Sequence, residues 1–250
     1  MTRVGIFTAT RWEFRAIRLA MVVEEHRRLD GARVAIGHRG QCRLWLVQTG
    51  VGVAKARAAS FRMMDSRPLD LAVSSGFACA LMSAAIGDLL IGTEVIMQGR
   101  APSVPEPARV IPDASRWVAV AVRAAQEAGL AALAGRFVTV SRVLWRAGEK
   151  REVAADTGAI GLDMESAAVG GAAAERNVPF IVVRAVSDLL DEDLPLDFNL
   201  LLGRGGWARG AVACLARPSA LVGLARLRAQ AVLASAHMTR FYERFLDDLD

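Results

Sequence analysis

The sequence predicts an α/β fold: a single three-layer domain with a mixed, mostly parallel central sheet flanked by helices. Short β-branched or apolar runs alternate with longer segments of helical period, the pattern of strands covered on both faces. The 250 residues are 53% hydrophobic, enough for one large core and near the upper end of what one domain holds. The expected organisation is one domain over 1–250, closed by an amphipathic helix at about 219–249. No stretch of eighteen uncharged apolar residues occurs, so a membrane-spanning helix is not expected.

Strands are expected at Val4–Thr8, Arg33–Gly37, Arg43–Gln48, Leu69–Ser74, Asp88–Ile91, Glu94–Gln98, Phe137–Ser141, Ala159–Asp163 and Phe180–Val186. The first follows a basic N-terminus, but its apolar run is short. Arg11, Glu13 and Arg15 come after it with no small-residue cleavage site, so it reads as a strand and not as a signal peptide. Helical period is found at Glu13–Val23, Val53–Met64, Ser115–Ala128, Gly148–Asp156 and Glu165–Glu175, with a short helix from Asp197 and a long one from Ser219 to Leu249. Arg100–Pro112 contains four of the eight prolines, Pro102, Pro105, Pro107 and Pro112, and is expected to be a loop. No internal repeat or low-complexity tract is visible.

Three cysteines, Cys42, Cys79 and Cys214, are widely separated and odd in number, which points to a reducing cytoplasm and to no metal site. The net charge of +5 comes from arginines dispersed at helical intervals. With a single tyrosine and scattered tryptophans, the chain lacks the basic, aromatic-studded face of a nucleic-acid binder. The long C-terminal helix carries Arg226, Arg228, Arg240 and Arg244 among Leu221, Leu224, Leu227, Val232, Leu233, Met238, Phe241 and Leu246. It suits either peripheral contact with an anionic membrane or cover for the sheet or a subunit interface.

Three segments carry chemistry. Gln48-Thr49-Gly50-Val51-Gly52-Val53-Ala54-Lys55 runs from strand to helix through a turn in which a ligand can approach Gly50 and the helix N–H groups. The third glycine of a dinucleotide fingerprint is replaced by Lys55, so that reading is weak, and a tight structural turn is the alternative. Asp70-Leu71-Ala72-Val73-Ser74-Ser75-Gly76-Phe77 opens into small residues where open α/β sheets bind ligands; close packing of Gly76 would explain them equally. Gly161-Leu162-Asp163-Met164-Glu165-Ser166 is followed by the apolar strand Phe180-Ile181-Val182-Val183-Arg184-Ala185-Val186-Ser187-Asp188. Arg184 is expected to be buried against a carboxylate such as Asp163 or Glu165. A helix cap explains one such group, Asp188 for example, but not four together.

The combination of Thr49-Gly-Val-Gly, Ser75-Gly-Phe, Asp163-Met-Glu-Ser-Ala and Val183-Arg-Ala-Val-Ser-Asp188 resembles the purine nucleoside phosphorylase and methylthioadenosine/S-adenosylhomocysteine nucleosidase superfamily, from Val4 to about Asp193. The resemblance implies a nucleoside phosphorylase-like fold and cleavage of the bond between a purine and its ribose. It implies that Met164 packs on the sugar, that Glu165 accepts its 2′- and 3′-hydroxyls, and that Asp188, beside Ser187, protonates N7 of the departing base. Asp188 would then need a dry pocket that keeps it protonated. Glu13 matches the carboxylate that activates water in the nucleosidase branch, with an exposed first-turn acid that favours the helix dipole as the alternative. Ser75, Gly76 and Phe77 fall at the pocket wall, where phosphorylases usually present arginine and serine for phosphate. The lack of arginine there, and Phe77 where a hydroxyl is common, favour hydrolysis, although Arg11, Arg15 and Lys55 could supply charge from elsewhere. Trp145 is available either to stack on the purine or to fill the core.

Ala147-Gly148-Glu149-Lys150 and Leu194-Pro195 look more loosely similar to a hopanoid-associated phosphorylase subgroup, whose substrate is a lipid-bearing adenosine. The resemblance implies no cofactor, with phosphate only as co-substrate of a phosphorylase, and a homo-oligomer acting on a small purine nucleoside. Three alternatives stay open: phosphorolysis, a nucleoside-binding protein without turnover, and a dehydrogenase.

Overall fold

The computed structural model describes residues 1–98, 114–201 and 219–249. The proline-rich segment and Cys214 lie outside them. The strands are β1 Thr2–Thr8, β2 Val22–Leu29, β3 Ala32–Arg39, β4 Cys42–Gln48, β5 Leu71–Ala80, β6 Leu89–Met97, β7 Ala132–Thr139, β8 Gly161–Asp163 and β9 Phe180–Asp188. The helices are α1 Arg11–Arg18, α2 Val53–Ser66, α3 Ala114–Glu127, α4 Ala147–Thr157, α5 Ser166–Ala174 and α6 Ser219–Asp247, with a short 3₁₀ turn at Phe198–Leu201. The nine strands form one mixed sheet, with β2-β3-β4-β1-β5 in that order. Beyond β5 the sheet closes on itself, because β5 pairs with both β8 and β9, and β8-β7-β6-β9 completes the ring.

Strand alternation builds the three layers. Ile6, Leu46, Val73 and Ile181 point to the side covered by α1, α3 and α6, whereas their neighbours Phe7, Val47, Ala72 and Val182 point to the side covered by α2 and α5. A smaller cluster of Cys79, Val138, Leu144, Val153 and Leu162 packs at the α4 end. The second half of α6 buries Ala234, Met238, Phe241, Tyr242, Phe245 and Leu246 over the sheet, while Leu221, Val222, Val232 and Leu233 in its first half are exposed. No helix among the described residues is long and apolar enough to cross a membrane.

Four expectations about elements are corrected. The helix expected over Glu13–Val23 stops at Arg18, and Val22–Leu29 is instead an edge strand. Its polar residues, Glu24, His26, Arg27 and Arg28 exposed and Glu25 half-buried, protect the sheet edge and hide the apolar alternation by which a strand is recognised. The available signal was Asp30-Gly31, both at positive φ (46° and 91°), which joins Leu29 to Ala32 as a two-residue hairpin turn. β5 does not open at Ser74 but continues through Ser75-Gly76-Phe77 to Ala80, gaining β9 and then β8 as partners. The two strands expected at Asp88–Ile91 and Glu94–Gln98 are one, β6, irregular between Gly92 and Glu94 where it leaves β9. β7 starts at Ala132, well before Phe137, a start the sequence hides because Ala-Leu-Ala-Gly-Arg lacks β-branched residues.

Candidate active site

Glu13 is set by local helix chemistry. Thr10 caps α1 by accepting the Glu13 N–H, and Glu13 Oε2 accepts the Thr10 N–H in return at 2.6 Å. Its other oxygen, Oε1, accepts the Phe77 N–H of β5 at 2.9 Å. Glu13 is therefore not an exposed first-turn acid: it is 3% exposed and fixed by two backbone donors. The approach of β5 needs a glycine. A Cβ on Gly76 would lie 2.3 Å from Glu13 Oε1 and 2.7 Å from Arg184 Nη1, and φ there is +150°. Gly76→Ala is expected to displace the Glu13 carboxylate and lower any activity that needs it by about 10²-fold or more. A steady-state assay beside a melting curve checks this, and full activity would remove Glu13 from the chemistry.

Arg184 lies fully buried on β9 and gathers the carboxylates. Nη2 is 2.9 Å from Asp163 Oδ2 and 3.7 Å from Glu165 Oε2, and it donates to Ser74 Oγ and Ser166 Oγ. Nη1 donates to the Phe77 carbonyl. Burial disfavours the guanidinium charge, but Asp163, Glu165 and Glu13 together raise its pKa above the ordinary arginine value. Asp163 is saturated. Oδ1 accepts the Thr139 hydroxyl and the N–H groups of Glu165 and Ser166, and Oδ2 accepts the Ser166 hydroxyl.

Glu165 is the less satisfied partner. Its Oε1 accepts the Gly52 N–H at 2.8 Å, and Arg184 stands further off. Burial, with Asp163 and Glu13 nearby, pushes its carboxyl up to about 7 against the pull of Arg184 and Gly52. One guanidinium among three carboxylates leaves an excess of negative charge, and the carboxylate with the fewest hydrogen bonds, Glu165, is the one that burial raises. The glycine turn thus serves Glu165: Gly52, at φ +98°, directs its N–H at a protein carboxylate.

Asp188 closes β9. Its Oδ1 accepts the Ser187 hydroxyl at 3.0 Å, and its Oδ2 accepts Lys150 Nζ at 2.9 Å. Lys150 is wholly buried and donates its other two protons to the carbonyls of Leu189 and Glu192. Burial works against its ammonium, yet Asp188 outweighs that and holds the pKa above the usual lysine value. Asp188 therefore faces the cavity with a cation behind it, brought by α4.

The cavity between these groups is lined by Thr10, Glu13, Val51, Phe77, Met164, Glu165, Ser187 and Asp188, with Asp163, Val143 and Leu144 among the remaining walls. No lysine or arginine appears among its described lining residues. Arg15 lies in another cleft, and neither Arg11 nor Lys55 lines this one.

Four residues expected in the pocket stand outside its lining, one of them Gly76, which lies against the Glu13 and Arg184 side chains. Trp145 is half-buried under the Arg146 guanidinium, 4.6 Å from its ring centre, because the chain turns into α4 immediately after it. Ser75 points to the opposite face of β5, with its hydroxyl toward Met238 of α6, and the alternate residue Ser74 meets Arg184. Gly50 shapes the turn at φ +89°, and Val51 forms the wall. Sequence reasoning missed Lys150, Thr139 and Ser166. A lysine in a first helical turn gives no periodic signal of burial, whereas Ser166 and Thr139 were recoverable as partners that a buried acid such as Asp163 requires.

Fold and site together define an α/β protein of the nucleoside phosphorylase-like class. A family model described as the phosphorylase superfamily matches residues 3–213, and the chain belongs to that family. It is 25% identical over 213 residues to the 5′-methylthioadenosine/S-adenosylhomocysteine nucleosidase of Haemophilus ducreyi, covering 80% of this chain and 90% of the relative. It is 26% identical over 219 residues to that of Geobacillus thermodenitrificans, covering 80% and 89%. The nucleosidase of Neisseria meningitidis, solved in complex with methylthio-immucillin-A, superposes with a TM-score of 0.79 at 21% identity over 100% of both chains. The futalosine hydrolase of Helicobacter pylori superposes with a TM-score of 0.77 at 19% identity, covering 99% and 98%.

Proposed function

We propose that the chain hydrolyses the N-glycosidic bond of an adenine-type nucleoside and releases the free base. The observation that carries this reading is the cavity itself, which places Glu13, Glu165, Met164 and Asp188 around one space with no lysine or arginine among its described lining residues. The relatives' names point to the same chemistry.

In this mechanism Met164 packs on the ribose and Glu165 accepts its hydroxyls. As the C1′–N9 bond breaks, its electron pair goes to the purine and Asp188, in its protonated form, gives its proton to N7. The Lys150 ammonium then faces the new carboxylate and stabilises it. Positive charge grows on the sugar, and the Glu165 carboxylate stabilises that state more than the substrate. Glu13 takes a proton from water as the oxygen bonds to C1′, which is the role its two backbone hydrogen bonds orient it for. The test is release of free adenine from several 5′-substituted adenosines with and without phosphate. Phosphate-independent release is expected, and formation of ribose 1-phosphate derivatives would replace hydrolysis by phosphorolysis.

Because Glu165 accepts two hydroxyls best as a carboxylate, KM for the nucleoside is expected to fall as pH rises through about 7. Its folded-state value lies above the ordinary carboxylate value, so its contribution to stability is present below that range and is lost as pH rises through about 7. Glu165→Gln should weaken binding and flatten the KM profile; an unchanged profile would assign the titration to another group.

A further inference from the structure

A second cleft of about 550 Å³ lies between α1 and the β2–β3 hairpin. Arg15 and Arg18 of α1, His26 and Arg28 of β2 and Arg33 of β3 converge on it, with Phe14 as its apolar floor. Arg15, Arg18, His26 and Arg28 have no ion pair or hydrogen-bond partner for their side chains among the described residues. The acids of the same hairpin are engaged elsewhere: Glu24 with His38 and Arg43, Glu25 with Arg27 at the cleft edge, and Asp30 with Arg62. Arg28 and Arg33 stand directly opposite each other in the antiparallel ladder, an arrangement that like charges make unfavourable. Arg33 is also held over the Phe14 ring, 5.8 Å from its centre. A concave site with guanidinium forks on two sides and no acid among its described lining residues suits planar, bidentate recognition of phosphate oxygens. Its volume is that of a small-molecule site.

We propose that this cleft binds a soluble ligand carrying two or more adjacent phosphate groups, at a place separate from the nucleoside cavity. The proposal stands independently of the glycosidic reaction. Titration calorimetry of the whole chain with sodium tripolyphosphate at low ionic strength is expected to show saturable binding, tighter than that of orthophosphate at the same ionic strength. Arg15→Gln combined with Arg28→Gln is expected to weaken it about tenfold or more. Both side chains are exposed and unpartnered, so the melting curve should not move. Affinity should also fall as salt shortens the screening length from about 30 Å at 0.01 M to about 10 Å at 0.1 M. Tripolyphosphate binding that is no tighter than orthophosphate, unchanged in the double variant, or abolished by saturating adenine would overturn the proposal. Arginine-dependent binding to phosphatidylglycerol vesicles without binding of tripolyphosphate would overturn it in favour of a lipid headgroup.

Discussion

Asp188→Asn is expected to reduce adenine release by about 10²–10⁴-fold, the usual contribution of a general acid, while the nucleoside still binds. Asparagine keeps the size of the side chain, and its carbonyl oxygen can still accept from Lys150 and from the Ser187 hydroxyl, the two contacts that orient Asp188. What it lacks is a transferable proton. Lys150→Met should lower kcat as well, because the carboxylate left after proton transfer would lose its only ammonium partner among the described residues. Single-turnover adenine release and equilibrium binding of the same nucleoside separate the outcomes. Binding lost together with turnover would make Asp188 a binding residue, and undiminished release would move the donor role elsewhere. A nucleoside-binding protein without turnover predicts no adenine from the unaltered chain at all.

Arg184→Met is expected to destabilise the fold by about 3–5 kcal/mol, since removing one partner of a buried ionic cluster leaves uncompensated charge. Glu13, Asp163 and Glu165 would share a buried space with no guanidinium, and the Ser74 and Ser166 hydroxyls would lose their common donor. The sign with pH follows from the carboxylates. Without Arg184 the Glu165 carboxyl rises further above its ordinary value, the native state holds more protons than the unfolded one, and the deficit widens as pH rises. Denaturant unfolding at several pH values measures this, and Arg184→Lys should recover part of the loss. A uniform loss at every pH would mean that the guanidinium acts by packing alone.

The architecture was legible where strands are buried on both faces. β1, β4 and β9 show themselves as apolar runs, and Arg184 within one of them announces a buried counter-charge. The site was legible where a single segment carries several groups, as Asp163, Met164 and Glu165 do. It was not legible where contacts depend on side-chain direction. Ser74 and Ser75 differ only by the pleat, and one meets Arg184 while the other faces α6. Lys150 was invisible because its three acceptors come from the end of β9 and the turn after it, distant in sequence, and nothing in its own helix marks it as buried. β2 was missed because an edge strand that guards against aggregation looks locally like the charged face of a helix.

The way α6 is tied back to the first elements bears on how the protein comes to be folded. Thr239 Oγ1 donates to the Ala16 carbonyl, Cys42 Sγ to the Leu246 carbonyl, and Thr2 Oγ1 to the Leu249 carbonyl, while Phe241, Tyr242 and Phe245 cover the sheet behind the arginine and carboxylate cluster. These contacts join residues more than 200 positions apart, so their loop-closure entropy is met only late. A nascent chain on the ribosome can pair β1 with β4 and β5 early, yet Ile6, Ile17 and Val73 stay without their last cover until the final helix emerges. During synthesis the molecule passes through an interval in which its strands are formed and one face of the sheet remains sticky, when a chaperone would be most useful to it.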